Sequence, residues 1–173
     1  IAMITRYLGQ TGFGQYTTVM TFLQFFGILA DFGLTLITLQ MISEPNVDEK
    51  RVFGNIWSIR FFSALFFLGL APLTIFFFPY ENIVKIGVIL TSLSFFFISI
   101  NQVTVSVFQR HLRMQYVAWA EVINRVVLLL AVFYVVWANL GLLYIFGAII
   151  LSNAVQFAMH AYFRIESSFF ISF

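Results

Sequence analysis

Asp31, Arg60, Glu121 and Arg125 are ionisable residues inside long apolar runs, accompanied by the amides Gln24, Gln102, Asn124 and Gln156. An ionisable side chain in hydrocarbon is costly and by default marks an ion or substrate pathway. Two arginines suit an anion; a lone aspartate suits a proton or a sodium ion. Asp31 belongs to a stripe, Thr17, Thr21, Gln24, Gly27, Asp31, Thr35 and Thr38, whose steps of three and four put it on one helix face. It lies about eleven residues from the nearer end of its run, too deep at about 1.5 Å per residue for a short side chain to reach water. The stripe must face a bundle interior or a wet cavity. Polar faces recur later: Ser92, Ser99, Gln102 and Ser106 with Asn101 beside them, then Asn153, Gln156, His160 and Arg164. Glu121 and Arg125 are i, i+4 partners. Plainer readings stand beside these. Arg60 and Arg125 are long enough to snorkel. Glu121 can serve only to neutralise Arg125, and Asp31 can pair with a neighbouring helix. Serine and threonine often bond their own backbone or glue helices. His160, near the end of its run, reads as interfacial.

Other chemistries lack their residues. There is no cysteine, so no disulfide framework, thiolate metal site or cysteine nucleophile. Gly9, Gly12 and Gly14 follow no strand and have the wrong order for a dinucleotide loop; they read as a turn between two spans. There is no P-loop, no Gly-x-Ser-x-Gly elbow, and two histidines without a His-Glu-x-x-His motif make no zinc site. The expectation is a protein that is not an enzyme, with no cofactor and no metal.

The elements that must position these residues follow from composition. Of 173 residues 61% are apolar and 9% charged, against about 45–50% and 25% in soluble domains. Nine basic and seven acidic side chains are too few to cover a soluble fold of this size. Disorder requires the opposite composition. The class is an integral membrane protein, and no basic patch points to nucleic acid. Because a membrane helix needs about 20 apolar residues, the runs predict spans over 16–42, 53–78, 83–108, 117–138 and 142–163. Residues 1–5 read as the end of a span that starts earlier. The links are short: the polar stretch 43–51, Pro79, the basic turn 109–116 and Asn139-Leu140-Gly141. The predicted fold is all-α, a polytopic transmembrane bundle. Lys50, Arg51, Arg110, Arg113 and Arg164 fall on one side and Arg6 and Lys85 on the other, which makes the first side cytoplasmic. Arg60, Gln102, Glu121, Asn124, Arg125, Gln156 and His160 then share the cytoplasmic half, with Asp31 near the middle. Trp57, Trp119 and Trp137 lie near span ends, as an interface belt places them.

The order of pieces is also familiar. It runs Thr5-Arg6-Tyr7-Leu8-Gly9, Gly12-Phe13-Gly14-Gln15-Tyr16, Ala30-Asp31-Phe32-Gly33-Leu34 and Ile42-Ser43, and later Phe108-Gln109-Arg110-His111-Leu112-Arg113-Met114 before Ala118 and Glu121. This resembles the polysaccharide (O-antigen, Wzx-like) flippases, of the superfamily that also holds the multidrug exporters. The resemblance implies a lobe of six helices, its first mostly missing here, facing a second lobe in a longer chain. It implies an undecaprenyl-pyrophosphate-linked oligosaccharide as substrate, moved from the inner to the outer leaflet of a bacterial or archaeal cytoplasmic membrane by alternating access. Cationic cavity residues would meet the pyrophosphate, and Arg60 and Arg125 are the matching candidates. Asp31 either couples a proton or sodium ion or holds the lobe together. The competing readings are a cation-coupled multidrug exporter and a non-transporting membrane scaffold. The expected partners are the lipid-linked substrate, membrane lipids, a coupling ion and the second lobe.

Overall fold

Residues 2–43 and 49–170 are described by the structure, a computed structural model of the chain. The polar link 44–48 lies outside the described residues, as do the side chains of Lys50 and Arg164. Among the described residues six α-helices follow one another and there is no strand. They are α1 (Ala2–Asp31), α2 (Leu34–Ser43), α3 (Glu49–Thr74), α4 (Asn82–Arg110), α5 (Met114–Trp137) and α6 (Leu142–Phe170), with a 3₁₀ turn, Ile75–Phe77, after α3. Among the described residues, four stretches are long and apolar enough to cross a membrane: Gly54–Phe77, Asn82–Arg110, Met114–Trp137 and Leu142–Phe163. The chain is therefore a multi-pass helical membrane bundle. Its outer surface carries Phe62, Phe66, Leu129, Leu130 and Phe133, suited to lipid contact.

The first of the five expected spans, 16–42, is not among these four. Phe32 and Gly33 adopt left-handed backbone, with φ of 38° and 80°, and divide the run into α1 and α2. Glycine takes that conformation freely. Asp31 thus sits at the end of a helix, beside a break, and not in mid-helix. The expected turn around Gly9, Gly12 and Gly14 is narrower than its glycines suggest. Only Gly9 leaves helical geometry, with φ 64° and ψ −170°, and the helix continues through the other two.

Helix α4 is the centre. It packs on α1, α2 and α3 to one side and on α6 to the other, and α6 carries α5. The main core joins Val19, Leu23 and Phe26 of α1, Ala64, Leu68 and Ala71 of α3, Val84 and Val88 of α4, and Leu142 and Phe146 of α6. A second core joins Ile4 to Val132 and Val135 of α5 and to Ile145 and Ala148 of α6. Two hydrogen bonds fix one end of the bundle. Gln15 Nε2 donates to Glu81 at 2.6 Å, and the Gly141 amide donates to the Tyr7 hydroxyl at 3.0 Å. The turn at Asn139–Gly141 forms as expected, with φ of 52° and 94° at its ends.

Helices in a membrane gain little from the hydrophobic effect against one another and depend on close packing at small residues. Gly87 is such a point. A Cβ there would lie 2.6 Å from the Phe146 ring and 3.0 Å from Val19 Cγ2, where α1, α4 and α6 meet. Gly87→Ala is expected to destabilise the bundle by about 1–3 kcal/mol through overpacking. A fall in the thermal midpoint of the solubilised protein checks this, with Gly147→Ala, whose Cβ would meet nothing within 4 Å, as the control.

Candidate functional site

Two polar clusters form within the bundle, and Gln102 of the first also lines the cavity beside the second. The first lies at the α1–α2 break. Arg60 reaches across from α3 and is 1% exposed. Its Nη2 donates to Asp31 Oδ1 and Gln102 Oε1, and to the Thr35 hydroxyl oxygen at 3.1 Å. The Thr35 hydroxyl sits 2.6 Å from Asp31 Oδ1 and 3.2 Å from Gln102 Oε1. Asp31 and Thr35 stand on either side of the break. One guanidinium therefore ties α1, α2, α3 and α4 together. A buried charge requires a partner, and the Asp31–Arg60 ion pair supplies it. Arg60 is neither snorkelling nor open to an anionic ligand; its charge is met by Asp31.

The second cluster is a chain of hydrogen bonds across α4, α5 and α6. Asn153 Nδ2 donates to Ser94 at 2.6 Å. Asn124 Nδ2 donates to Gln156 Oε1 at 2.7 Å. Gln156 Nε2 donates to Glu121 Oε2 at 2.8 Å, and Arg125 Nε donates to Glu121 Oε1 at 2.9 Å. The chain begins in a buried serine and ends in a side chain that is 71% exposed. These residues line a cavity of about 440 Å³, together with Tyr16, Phe95, Asn101, Gln102 and His160. An exposed i, i+4 ion pair contributes little to stability, so stability does not account for Glu121 and Arg125 on the third and fourth turns of an apolar helix. Each oxygen of Glu121 is engaged by a different residue, which fixes the carboxylate and through it the guanidinium.

Of the eight residues expected at a site, Asp31, Arg60 and Gln102 meet in the first cluster, and Glu121, Asn124, Arg125 and Gln156 in the second. Gln24 joins neither; it is exposed. The reason is the packing of α1. The helix buries Val19, Leu23, Phe26 and Ala30, and this apolar face turns Thr21 and Gln24 outward. Thr17 and Thr18 spend their hydroxyls on the carbonyls of Phe13 and Gly14. Thr17, Thr18 and Thr21 line a separate, Phe-rich cavity of about 650 Å³ with Phe22, Phe25 and Phe78. His160, near the end of the 142–163 span, is enclosed by protein. It is 1% exposed, with Nδ1 3.2 Å from Asn101 Oδ1 and its ring against Phe108. Ser94 was not foreseen, because it falls off the Ser92–Ser99–Ser106 face; its only signal is that Asn153 needs a partner.

A family model described as "Polysaccharide biosynthesis protein" matches residues 1–172. Comparison with curated proteins and with solved structures gave no match. With its sequence matched over almost its full length and its helices able to cross a membrane, the chain belongs to the polysaccharide biosynthesis protein family.

Proposed function

We propose that the protein is a membrane transporter that flips a lipid-linked oligosaccharide, of the undecaprenyl-pyrophosphate type, from the inner to the outer leaflet of the cytoplasmic membrane by alternating access, in cell-surface polysaccharide export. The observation that carries this reading is the Glu121–Arg125 pair. It stands exposed beside a 440 Å³ cavity, on a helix otherwise apolar enough to cross a membrane. A charged pair on that helix needs water or protein around it, not lipid. Arg125 offers the cavity a cation for a pyrophosphate, and Gln102, Asn124 and Gln156 offer amides for sugar hydroxyls. The exposed polar faces of α1 and α5 suit a second lobe in a longer chain, with the substrate path between the two.

The cation-coupled exporter is less well supported. Asp31, the carboxylate such a protein would use, is already neutralised by Arg60. A non-transporting scaffold requires sealed polar contacts, which Arg125 is not.

The absence of cysteine in these residues makes the test direct. Single cysteines at Gln102, Glu121, Arg125 and Gln156 are expected to react with a membrane-impermeant thiol reagent applied to the full chain in membranes. A cysteine at Leu129, on the outer apolar surface, is expected to stay unlabelled. Undecaprenyl-pyrophosphate-linked oligosaccharide should protect the four sites, whereas a lipophilic cation should not. Silence at all four from both sides of the membrane returns the scaffold reading. Protection by the lipophilic cation alone returns the drug exporter.

A further inference from the structure

Among the described residues, Gln102 is the member of the buried Arg60 cluster that also lines the 440 Å³ cavity. Its Oε1 accepts from Arg60, with the Thr35 hydroxyl 3.2 Å away. A carboxamide is planar, with its acceptor and its two donor hydrogens on opposite arms. With Oε1 committed to Arg60, Nε2 is what Gln102 has left to offer the cavity. The geometry points to Gln102 as the residue that couples occupancy of the cavity to the break between α1 and α2. It meets the ligand itself and acts on the break through Arg60, and this role rests on reading the cavity as the transport path.

The chemistry is that of a polarised amide. An acceptor oxygen in the cavity, from a sugar hydroxyl or a phosphate, takes a hydrogen from Nε2. Hydrogen bonds in a chain polarise one another, so the bond from Arg60 to Oε1 strengthens. Arg60 holds Asp31 and Thr35, which flank Phe32 and Gly33. Those two residues are the only non-helical positions between α1 and α2, and a few such residues at the end of an element absorb the dihedral change when a hinge moves. Helix α2 has ten residues and packs on α3 and α4. It is the body that such a change would swing. A carboxylate at position 102 would still accept from Arg60 but has no hydrogen for the ligand. An aliphatic side chain does neither.

The test uses the full chain in lipid nanodiscs with two probes, undecaprenyl pyrophosphate and undecaprenyl pyrophosphoryl N-acetylglucosamine. Binding is measured alongside hydrogen exchange of the backbone amides at 32–37. In the native protein, a bound probe is expected to slow exchange there by about fivefold or more. Gln102→Leu is expected to bind the same probe within about tenfold of native affinity, the scale of one lost hydrogen bond, and Gln102→Glu more weakly, because its carboxylate repels the pyrophosphate; neither is expected to change exchange at 32–37 at saturating probe. Response to the pyrophosphate alone identifies a phosphate oxygen as the acceptor; response only to the sugar-bearing probe identifies a hydroxyl. Should Gln102→Leu fail to fold, Gln102→Glu carries the comparison, because it keeps a partner for Arg60. The coupling role is overturned by a native-sized exchange response in either folded variant, by loss of binding altogether, or by a native protein that binds without any response. A native protein that binds neither probe rejects the transport reading itself and the coupling with it.

Discussion

Asp31→Asn is expected to destabilise the protein by about 3–5 kcal/mol, the cost of breaking a buried ion pair by removing one partner. The effect should appear as a large fall in the thermal midpoint of the solubilised protein. The reason is the state in which Arg60 is left. Its side chain is 1% exposed, and its Nε and Nη1 have no hydrogen-bond partner. Among the described residues, the Asp31 carboxylate is the charge that meets it. Asparagine keeps the shape and one acceptor oxygen but removes that charge. Arg60→Lys should also be costly, because a compact ammonium on a flexible stem does not reproduce the reach of a planar guanidinium to Asp31, Thr35 and Gln102. The double replacement Asp31→Asn with Arg60→Met should recover most of the loss, since exchanging a buried pair for apolar or neutral groups of similar volume is often neutral or stabilising. A double replacement no more stable than Asp31→Asn alone would show that the pair is not the source of the effect. Transport separates two further roles. If the cluster only holds the lobe together, the double variant transports normally once folded. If it also moves the α1–α2 break, the double variant is stable and slow.

The bundle could be read from the sequence because about 20 consecutive apolar residues have few structural solutions. The runs at 53–78, 83–108, 117–138 and 142–163 correspond to α3 through α6 with shifts of only a few residues at most ends. The break in the first run could not be read the same way. Phe32 and Gly33 are as apolar as their neighbours, and the left-handed backbone at Gly33 shows only in coordinates. The stripe containing Asp31 and Gln24 has regular spacing, but spacing alone does not say which face a helix buries. The apolar residues Val19, Leu23, Phe26 and Ala30 compete with the stripe for the interior, and they win. Cost in hydrocarbon draws attention to Asp31 and Arg60, whereas their pairing across 29 positions of sequence has no local signal. The burial of His160 has no local signal either: its distance from the end of the run says nothing of Asn101 on the neighbouring helix, which it meets.

Arg125→Gln is expected to weaken transport by about 10- to 100-fold, the range that follows from losing one charge-assisted hydrogen bond to a pyrophosphate, worth about 1.5–3 kcal/mol. Flipping of a fluorescent undecaprenyl-pyrophosphate-linked sugar in proteoliposomes measures it. Stability should barely change, because the side chain is 71% exposed and its pairing with Glu121 is of the weak, solvent-facing kind. Glu121→Gln probes the same guanidinium from the other side and has a different expected signature. It removes the negative charge that neutralises Arg125 and lets Arg125 act as a fuller cation. An anionic headgroup should then bind more tightly and leave more slowly, so apparent affinity rises while turnover falls. Gln156→Leu removes the donor on Glu121 Oε2 without altering any charge. It should loosen the carboxylate and give a smaller loss in the same direction as Arg125→Gln. A drop in stability from Arg125→Gln as large as that from Asp31→Asn would make the second cluster structural. Equal transport by native and Arg125→Gln protein would mean that the anionic headgroup is held elsewhere. The opposite signs expected for Arg125→Gln and Glu121→Gln on headgroup affinity are the discriminating result, since a merely structural pair would lose function the same way from either end.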